Sequence, residues 1–432
     1  MIYSRNINYK YLREKKAKHL YTWYQKEFEN KKNLDSFIYY KATILPLRKI
    51  KGDSLLFGRG GVVDENNNYV KESAINNRIQ DAYEFSCPEK KELNVVYCGY
   101  LVNQWGHFLI EAVARLWFFV EKDTPLIDKY VFFTDYEKEI ELSGNYKEFL
   151  ELLGILDKIE IINKPTTYRC VIIPELAYKW RSYYSNSYKQ IFEKVVSNVK
   201  YDNTWSVYEK IYFTRSALKN ISNKEIGLDM LDDYFRSNNY EIVAPEKIKL
   251  SYLIYLIRNA RVVASLSGSL PHNMLFARDE QKIIILERNI LNNEIQVDIN
   301  KLKELKVIYI DANIGIYPIN LGYGPFIMTY HGRLEEFSKD YKYNPPQEKY
   351  LSKRFLKDSY KRYMKEYHKI YAYQWFMEDW EIQYTDYLKE AYDESIKYFG
   401  EYIYGYKPYR ALQLFEWNYI KRLLIRLFVR NS

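Results

Sequence analysis

A histidine, a glutamate and an arginine recur at steps of four residues in one strongly apolar stretch. His107, Glu111 and Arg115 lie between Trp105 and Trp117, and their neighbours are mostly Phe, Leu, Ile, Val and Ala. On a helix this spacing places all three side chains on one face. A carboxylate can orient an imidazole as a general base, and a guanidinium can hold an acidic ligand. The alternative is a solvated stripe of weakly paired side chains, but the apolar neighbours leave little of such a helix exposed, which favours a functional site.

Single charged residues follow two apolar segments that have the pattern of strands. Arg215 comes shortly after the strand predicted at 211–213, and Glu287 follows the strand predicted at 283–286. Ligands of parallel sheets bind at the carboxyl ends of the strands, where an arginine can bind phosphate through two hydrogen bonds. A carboxylate in the same place can hold ribose hydroxyls or cap a helix. We therefore include both residues in the candidate site.

A turn of small residues follows the strand predicted at 261–265. Its members are Ser267, Gly268 and Ser269. A helix is expected to begin near Pro271, which suits a first helical turn, and this helix carries His272 and Asn273. Hydroxyls and glycine at a helix N-terminus can form a nest of backbone N–H groups that binds an anion, although an ordinary capped helix uses the same residues.

The elements that would position these residues alternate between strand and helix. Strands are predicted at 94–97, 130–134, 159–162, 170–173, 211–213, 240–243, 261–265, 283–286 and 307–310, and helices at 104–120, 146–153, 178–199, 224–237 and 250–259. This alternation indicates an α/β fold whose parallel sheets are covered on both faces. Its interruption near residue 200 predicts two Rossmann-like domains that face a cleft. We place them at 51–200 and 201–334, after a basic helical segment at 1–50 and before a helical C-terminal region at 335–432.

The net charge of +9 is concentrated at the two ends of the 432-residue chain. Residues 1–32 carry a net charge of +6 and residues 409–432 a net charge of +4, so the remainder is close to neutral at −1. A nucleic-acid groove needs positive charge on the folded body, and the sequence has no RNA- or DNA-binding motif, so we expect no nucleic-acid partner. The 47 tyrosines are attributed mainly to the codon usage of an AT-rich genome.

Cysteine usage and hydropathy predict the compartment. Cys87, Cys98 and Cys170 are too few and too scattered for a disulfide framework or a zinc site. No run of about 18 apolar residues is present to span a bilayer, and no apolar segment of a signal peptide follows the basic N-terminus. These features predict a cytoplasmic protein that is soluble or peripheral to a membrane.

The C-terminal segment 409–432 has the periodicity of a basic amphipathic helix. Bulky apolar residues recur at steps of three and four, and Arg422, Arg426 and Arg430 line another face. Such a helix suits the surface of an anionic bilayer, and packing on the domain with solvated arginines is an equal alternative. Residues 8–30 show a weaker version of the pattern. An anionic membrane is therefore an expected partner of both ends.

Taken in order, four motifs resemble glycosyltransferase family 61, and in particular its bacterial members linked to capsular and other surface polysaccharides. The motifs are W-G-H-F-x-x-E-x-x-x-R-L-W, a strand ending in T-R-S, S-G-S-x-x-H-N-x-L-F, and I-I-x-L-E, within about residues 54–290. The resemblance implies a GT-B fold, a nucleotide-sugar donor, inversion at the anomeric carbon, and no essential metal or other cofactor. The acidic cluster at 229–233 agrees with this, because it lies inside a helical pattern rather than at a strand end.

The resemblance also implies roles for the two domains and for single residues. The N-terminal domain would bind a lipid-linked acceptor glycan, and the C-terminal domain would bind the donor, with a UDP-sugar expected. His107 is the expected base with Glu111 orienting it, and direct action by Glu111 is the alternative. The donor-side residues are Arg215, Ser267, Gly268, Ser269, His272, Asn273 and Glu287, and the residues for acceptor or phosphate are Arg115, Asn223 and Glu225. Many family members have His-Gly-Ala where this chain has Ser267-Gly268-Ser269.

The expected function is therefore transfer of a sugar to a growing bacterial surface glycan at the inner face of the plasma membrane. Two alternatives stay open from the sequence. One is a non-catalytic, membrane-peripheral component of a polysaccharide assembly complex. The other is a transferase of a different activated group, such as a polyol phosphate.

Overall fold

The computed structural model describes residues 6–26, 29–31, 33–50, 57–75, 81–218, 224–289, 292–314, 324–330, 332–371, 390 and 393. The strands are β1 (Ile7–Tyr11), β2 (Glu29–Asn30), β3 (Ser36–Tyr40), β4 (Thr43–Arg48), β5 (Arg59–Val63), β6 (Glu89–Tyr100), β7 (Lys129–Phe133), β8 (Ile159–Ile162), β9 (Thr166–Pro174), β10 (Tyr178–Lys179), β11 (Tyr183–Tyr184), β12 (Lys210–Phe213), β13 (Glu225–Ile226), β14 (Glu241–Val243), β15 (Val262–Leu266), β16 (Lys282–Glu287), β17 (Lys306–Asp311) and β18 (Phe326–Ile327).

The α-helices are α1 (Glu14–Gln25), α2 (Trp105–Ile110), α3 (Trp117–Lys122), α4 (Gly144–Leu153), α5 (Asn186–Ser197), α6 (Leu228–Ser237), α7 (Leu250–Asn259), α8 (Glu294–Leu302), α9 (Arg333–Tyr341), α10 (Glu348–Leu351) and α11 (Lys353–Tyr371). Short 3-10 helices lie at Lys71–Ser73, Ala112–Arg115, Leu156–Lys158, Pro245–Lys247 and Leu270–Phe276.

The second half of the chain forms a six-stranded sheet in the order β1-β17-β16-β15-β12-β14. Every neighbouring pair in it is parallel. The central strands β15 and β16 are apolar and almost wholly buried, because helices cover both faces of the sheet. This half confirms the predicted Rossmann-like α/β arrangement, and the strands carrying the predicted motifs end at the same edge.

The first half forms a seven-stranded sheet in the order β5-β4-β9-β6-β7-β8, with β3 also paired to β9. β6 pairs in parallel with β7 and β9, and β7 pairs in parallel with β8. β3 and β4 pair antiparallel with β9, and β5 pairs antiparallel with β4. The sheet is therefore mixed, with a parallel part that carries α2 to α4 and an antiparallel edge.

The N-terminal segment differs from the basic helical segment predicted for 1–50. It contains α1, but β1 is an edge strand of the six-stranded sheet, while β3 and β4 belong to the seven-stranded sheet. The apolar residues of α1 explain this, because Leu20, Trp23 and Tyr24 are buried in the core. Segment 1–50 thus ties the two sheets together, and the apolar side of its helix is not available to a membrane.

Three predicted helices begin or break at other positions than expected. The helix predicted at 178–199 starts only at Asn186, because the hydroxyl of Ser185 accepts a hydrogen bond from the Tyr188 amide and caps it. The helix predicted at 224–237 starts at Leu228, after Gly227 with φ of 93°. The helix predicted at 104–120 is broken at Glu111 into α2, a 3-10 turn and α3.

One continuous apolar core joins the two halves of the molecule. Phe149 of α4 packs against Phe192 of α5, and both rings contact Phe276, which belongs to the 3-10 helix after β15. Such a shared core holds the inner surfaces of the two halves in one arrangement.

The C-terminal region is helical as far as the structure describes it. Phe337 of α9 and Tyr350 of α10 are buried against the six-stranded sheet, and α11 packs through Leu356 and Tyr363 on the short strands β13 and β18. The predicted amphipathic helix at 409–432 lies outside the described residues. Within the described part of the chain, no helix is long and apolar enough to cross a bilayer.

Candidate active site

The two halves are in close contact at the start of α2. A β-carbon built on Gly106 would lie 2.5 Å from the β-carbon of Ser269 and 3.4 Å from Cδ2 of His272. The neighbouring Trp105 donates a hydrogen bond from Nε1 to Oδ1 of Asn273 at 2.8 Å. The first predicted motif therefore lies directly against the third.

His107 and Glu111 form a hydrogen-bonded pair on α2. Nδ1 of His107 lies 2.7 Å from Oε1 of Glu111, and their side chains are 30% and 10% exposed. An α-helical turn brings positions four apart together, which is why the sequence spacing predicted this contact. The arrangement can fix the imidazole with a proton on Nδ1 and orient its other nitrogen away from the carboxylate.

Arg115 lies apart from this pair. The chain tightens into a 3-10 turn after Glu111, so Arg115 does not continue the helical face of His107. Its guanidinium donates hydrogen bonds of 2.8 to 2.9 Å to the backbone carbonyls of Glu72, Ala74 and Pro174. The side chain is 1% exposed, and burial lowers the pKa of Arg115 from its ordinary value. Its position differs from the predicted ligand contact, and the side chain instead joins three segments of the first half.

The turn after β15 connects the α2 contact with a cluster of charged residues. Ser269 meets Gly106, while a β-carbon built on Gly268 would lie 2.8 Å from Nη2 of Arg288. Gly268 has φ of 123°, a conformation that favours glycine. The hydroxyl of Ser267 accepts a hydrogen bond from the Arg288 amide at 3.2 Å. The helix that follows is the seven-residue 3-10 helix at Leu270–Phe276, with Pro271 in its first turn as predicted.

Arg215, Glu225 and Arg288 form the charged cluster. Nε of Arg215 donates to both carboxylate oxygens of Glu225 at 2.8 and 3.0 Å, and Nη1 of Arg288 contacts the same carboxylate. The side chains are 13%, 4% and 11% exposed. Two guanidinium groups share one carboxylate, so the cluster has a net positive charge. This charge lies at the carboxyl ends of β12 and β16, where parallel sheets bind ligands.

Arg288 is the residue that sequence reasoning missed. It directly follows Glu287, one residue past the end of the apolar strand β16, whereas Arg215 lies two residues past the end of β12. That signal was present in the sequence. The Phe326 ring lies 4.4 Å from its guanidinium carbon, a contact that a distant part of the chain supplies and that sequence reasoning did not include.

Glu287 is buried at the carboxyl end of β16. It is 1% exposed, and its Oε2 lies 3.4 Å from Nζ of Lys16 on α1. Lys16 also donates to Asp311 at 2.7 Å, and Arg13 lies 3.8 Å from the same carboxylate. Burial raises the pKa of Glu287, and the charge of Lys16 opposes that shift. The four charged residues Arg13, Lys16, Glu287 and Asp311 thus connect the start of α1 to the ends of β16 and β17.

The remaining predicted residues occupy three different settings. Asn273 is buried and donates to the Leu270 carbonyl at 2.8 Å. His272 is 3% exposed, and its Nδ1 lies 2.8 Å from Oε1 of Gln296. Asn223 lies outside the described residues. Among the residues that the structure describes, no group of three or more His, Cys, Asp or Glu side chains is placed to hold a metal ion.

The part of the chain that carries these residues matches a known protein family. Residues 105–284 match the family model described as Glycosyltransferase 61. The matched span begins at Trp105 of α2, ends inside β16, and includes His107, Glu111, Arg215 and Glu225. Residues 105–284 therefore resemble a glycosyltransferase family 61 domain, and this match supports assignment of the chain to that family. No curated protein matches the chain.

The buried position of Arg115 predicts a stability defect. Arg115→Met should lower the free energy of unfolding by about 3 kcal/mol or more, because buried carbonyls lose their donors. Urea denaturation measures this change. Arg354→Met, at a side chain that is 93% exposed, is the matched control and should change stability by about 0.5 kcal/mol or less. Equal, small effects of both substitutions would contradict the anchoring role.

Proposed function

We propose that this protein is an inverting, metal-independent glycosyltransferase of GT-B architecture that uses a nucleotide-sugar donor, with a UDP-sugar as the first candidate. The observation that carries the proposal is the turn at 267–269. Its Ser269 touches the helix with the His107–Glu111 pair, and its Gly268 touches Arg288 of the positive cluster. A base and a site for a diphosphate thus lie on the two sides of one short turn.

The chemistry follows from the charges of the two sides. His107, oriented by Glu111, takes the proton of an acceptor hydroxyl, and the hydroxyl oxygen attacks the anomeric carbon. The bond between that carbon and the diphosphate oxygen breaks, and the nucleoside diphosphate leaves with the electron pair. The greater exposure of His107 supports it as the base, and direct action by Glu111 is the second possibility.

Arg215 and Arg288 are the proposed partners of the leaving diphosphate. Guanidinium groups bind phosphate through paired hydrogen bonds, and a preorganised positive site stabilises charge that develops as the bond breaks. Glu225 holds both side chains in place. Burial lowers the pKa of Arg288, and the adjacent Glu225 carboxylate opposes that shift.

We further propose that the acceptor is a bacterial surface glycan, lipid-linked and presented at the inner face of the plasma membrane. The packed apolar side of α1 leaves the C-terminal segment 409–432 as the membrane-binding element. The exposed residues of α1 include Lys18, which can contribute positive charge at a membrane surface, but also Glu14 and Tyr21.

The first test concerns the proposed base. Purified protein should release nucleoside diphosphate from one member of a panel of UDP-sugars, measured by a coupled assay with and without oligosaccharide acceptors. His107→Ala and Glu111→Ala should each reduce turnover by about two orders of magnitude or more, while donor binding persists. Glu151→Gln, an exposed glutamate on α4, is the control.

Near-normal turnover in both site variants would remove the pair from the mechanism. Absence of nucleotide release from every donor, in protein that is folded and binds acceptor glycan, would instead support the non-catalytic assembly component.

The second test concerns the diphosphate site. Arg215→Ala and Arg288→Ala should each weaken UDP binding by about tenfold to a hundredfold, because each removes charge-assisted hydrogen bonds. Isothermal titration calorimetry measures the affinity. Arg261→Ala is the control, because this exposed arginine pairs with Glu209 at the opposite end of the same sheet. Unchanged affinity in both site variants would place the diphosphate elsewhere.

The third test concerns the membrane. Deletion of residues 409–432 should abolish co-sedimentation with vesicles that contain anionic phospholipid and should spare activity on a short soluble acceptor. Vesicles of neutral phospholipid are the control. Retained binding of the truncated chain to anionic vesicles would contradict the assignment of this segment.

A further inference from the structure

A chain of buried polar side chains runs from the candidate site into the second half of the molecule. Nδ1 of His272 lies 2.8 Å from Oε1 of Gln296, whose Nε2 donates to Oδ1 of Asn300 at 2.8 Å. Nδ2 of Asn300 then donates to the hydroxyls of Tyr309 and Tyr24 at 2.8 and 3.0 Å. Every member of this chain is 5% exposed or less.

The order of donors and acceptors sets the protonation of His272. The amide nitrogen of Asn300 supplies two protons to the two tyrosine oxygens, so its carbonyl accepts from Gln296. The carbonyl of Gln296 is then left to accept from His272, which requires a proton on Nδ1. Burial lowers the pKa of His272 to about 4, so the imidazole is neutral near pH 7. Its Nε2 therefore has a lone pair and no proton.

The free edge of His272 faces the proposed base. Cδ2, the ring atom next to Nε2, lies 3.4 Å from the position of a β-carbon built on Gly106, the residue before His107. Nε2 has no hydrogen-bond partner among the residues that the structure describes. The following residue, Asn273, is fixed to Trp105. Nδ1 is therefore hydrogen-bonded to a buried side chain, whereas Nε2 lies on the edge of the ring that faces α2.

We propose that Nε2 of His272 accepts a hydrogen bond from a hydroxyl of the donor sugar, held there by the chain through Gln296 and Asn300. This inference rests on the proposed function and adds a residue that selects the substrate. His272 lies on the second half, after the turn that touches Arg288, so the sugar of a bound nucleotide sugar is its nearest ligand group. A neutral imidazole whose proton is fixed on Nδ1 can only accept a hydrogen bond at Nε2. The sugar group that binds there must therefore be a hydroxyl that donates one.

The two histidines of the site thus have different tasks. His107 is hydrogen-bonded to the Glu111 carboxylate, which orients its ring for the proposed role of a base. His272 is held by an uncharged amide in a buried setting, which favours the neutral ring. A charged His272 would repel a protonated His107, so a neutral partner also keeps the proton transfer favourable.

The first experiment tests the protonation directly and needs no substrate. Long-range ¹H–¹⁵N spectra of the five histidines, assigned by single substitutions, should show His272 neutral with the proton on Nδ1 from pH 5 to 8. Gln296→Glu should raise the midpoint of its titration by about one pH unit or more, because a carboxylate stabilises the imidazolium. A proton on Nε2 in the unaltered chain would overturn the proposal.

The second experiment separates a ligand contact from a structural one. In His272→Asn, the side-chain amide can still donate a hydrogen bond to Gln296 in place of Nδ1. The variant has no atom in the place of Nε2. Calorimetry with the UDP-sugar that the unaltered chain binds most tightly should show a loss of about tenfold in affinity. Binding of UDP alone should not change, because UDP lacks the transferred sugar that His272 would contact.

The outcomes distinguish this inference from the proposed function. Equal affinity of the unaltered chain and the folded His272→Asn variant for the UDP-sugar would overturn the role of His272 and leave the glycosyltransferase proposal intact. An equal loss for UDP and for the UDP-sugar would also overturn it. Failure of the unaltered chain to bind any nucleotide sugar would overturn both.

Discussion

The close approach of α2 to the turn at 267–269 is the constraint on which the candidate site depends. Gly106 allows it, since any side chain there would overlap Ser269. The shared aromatic core around Phe149 and Phe276 then fixes the two halves in this contact. His107 is the next residue along α2. The absence of a side chain at Gly106 therefore determines how close His107 lies to the second half.

Buried charge is stabilised in three different ways around this contact. Arg115 is surrounded by backbone carbonyls, Glu287 lies beside Lys16 within a group of four charges, and Arg288 shares Glu225 with Arg215. In the group of four, burial alone would raise the pKa of Asp311, but Lys16 and Arg13 hold it below its ordinary value. Arg115 makes three hydrogen bonds to backbone carbonyls, and Lys16 donates to Asp311 and to the Asn289 carbonyl. The Arg215–Glu225–Arg288 cluster carries excess positive charge, which is the feature expected of an anion-binding site.

The sequence predicted the strands and helices well where local patterns decide them. The parallel strands β12, β15, β16 and β17 were identified by their apolar runs, and the His107–Glu111 contact by helical spacing. The failures have physical causes that no local pattern contains. The break after Glu111 redirects Arg115, and the antiparallel edge of the first sheet comes from a long-range pairing of β3 and β4 with β9. Glu287 was placed at the correct strand end, but its burial depends on Lys16, about 270 residues away in the chain.

The family match and the physical site do not coincide. Residues 105–284 contain the proposed base His107, its partner Glu111, and Arg215, Glu225 and His272. The second arginine, Arg288, lies just beyond that span, and so do Gln296 and Asn300 of the chain behind His272. Tyr24 and Lys16 come from the other end, on α1, where one supports Asn300 and the other supports Glu287. The flanking segments therefore complete the proposed donor side of the site. They supply a second arginine, the hydrogen bonds behind His272 and the lysine that pairs with Glu287.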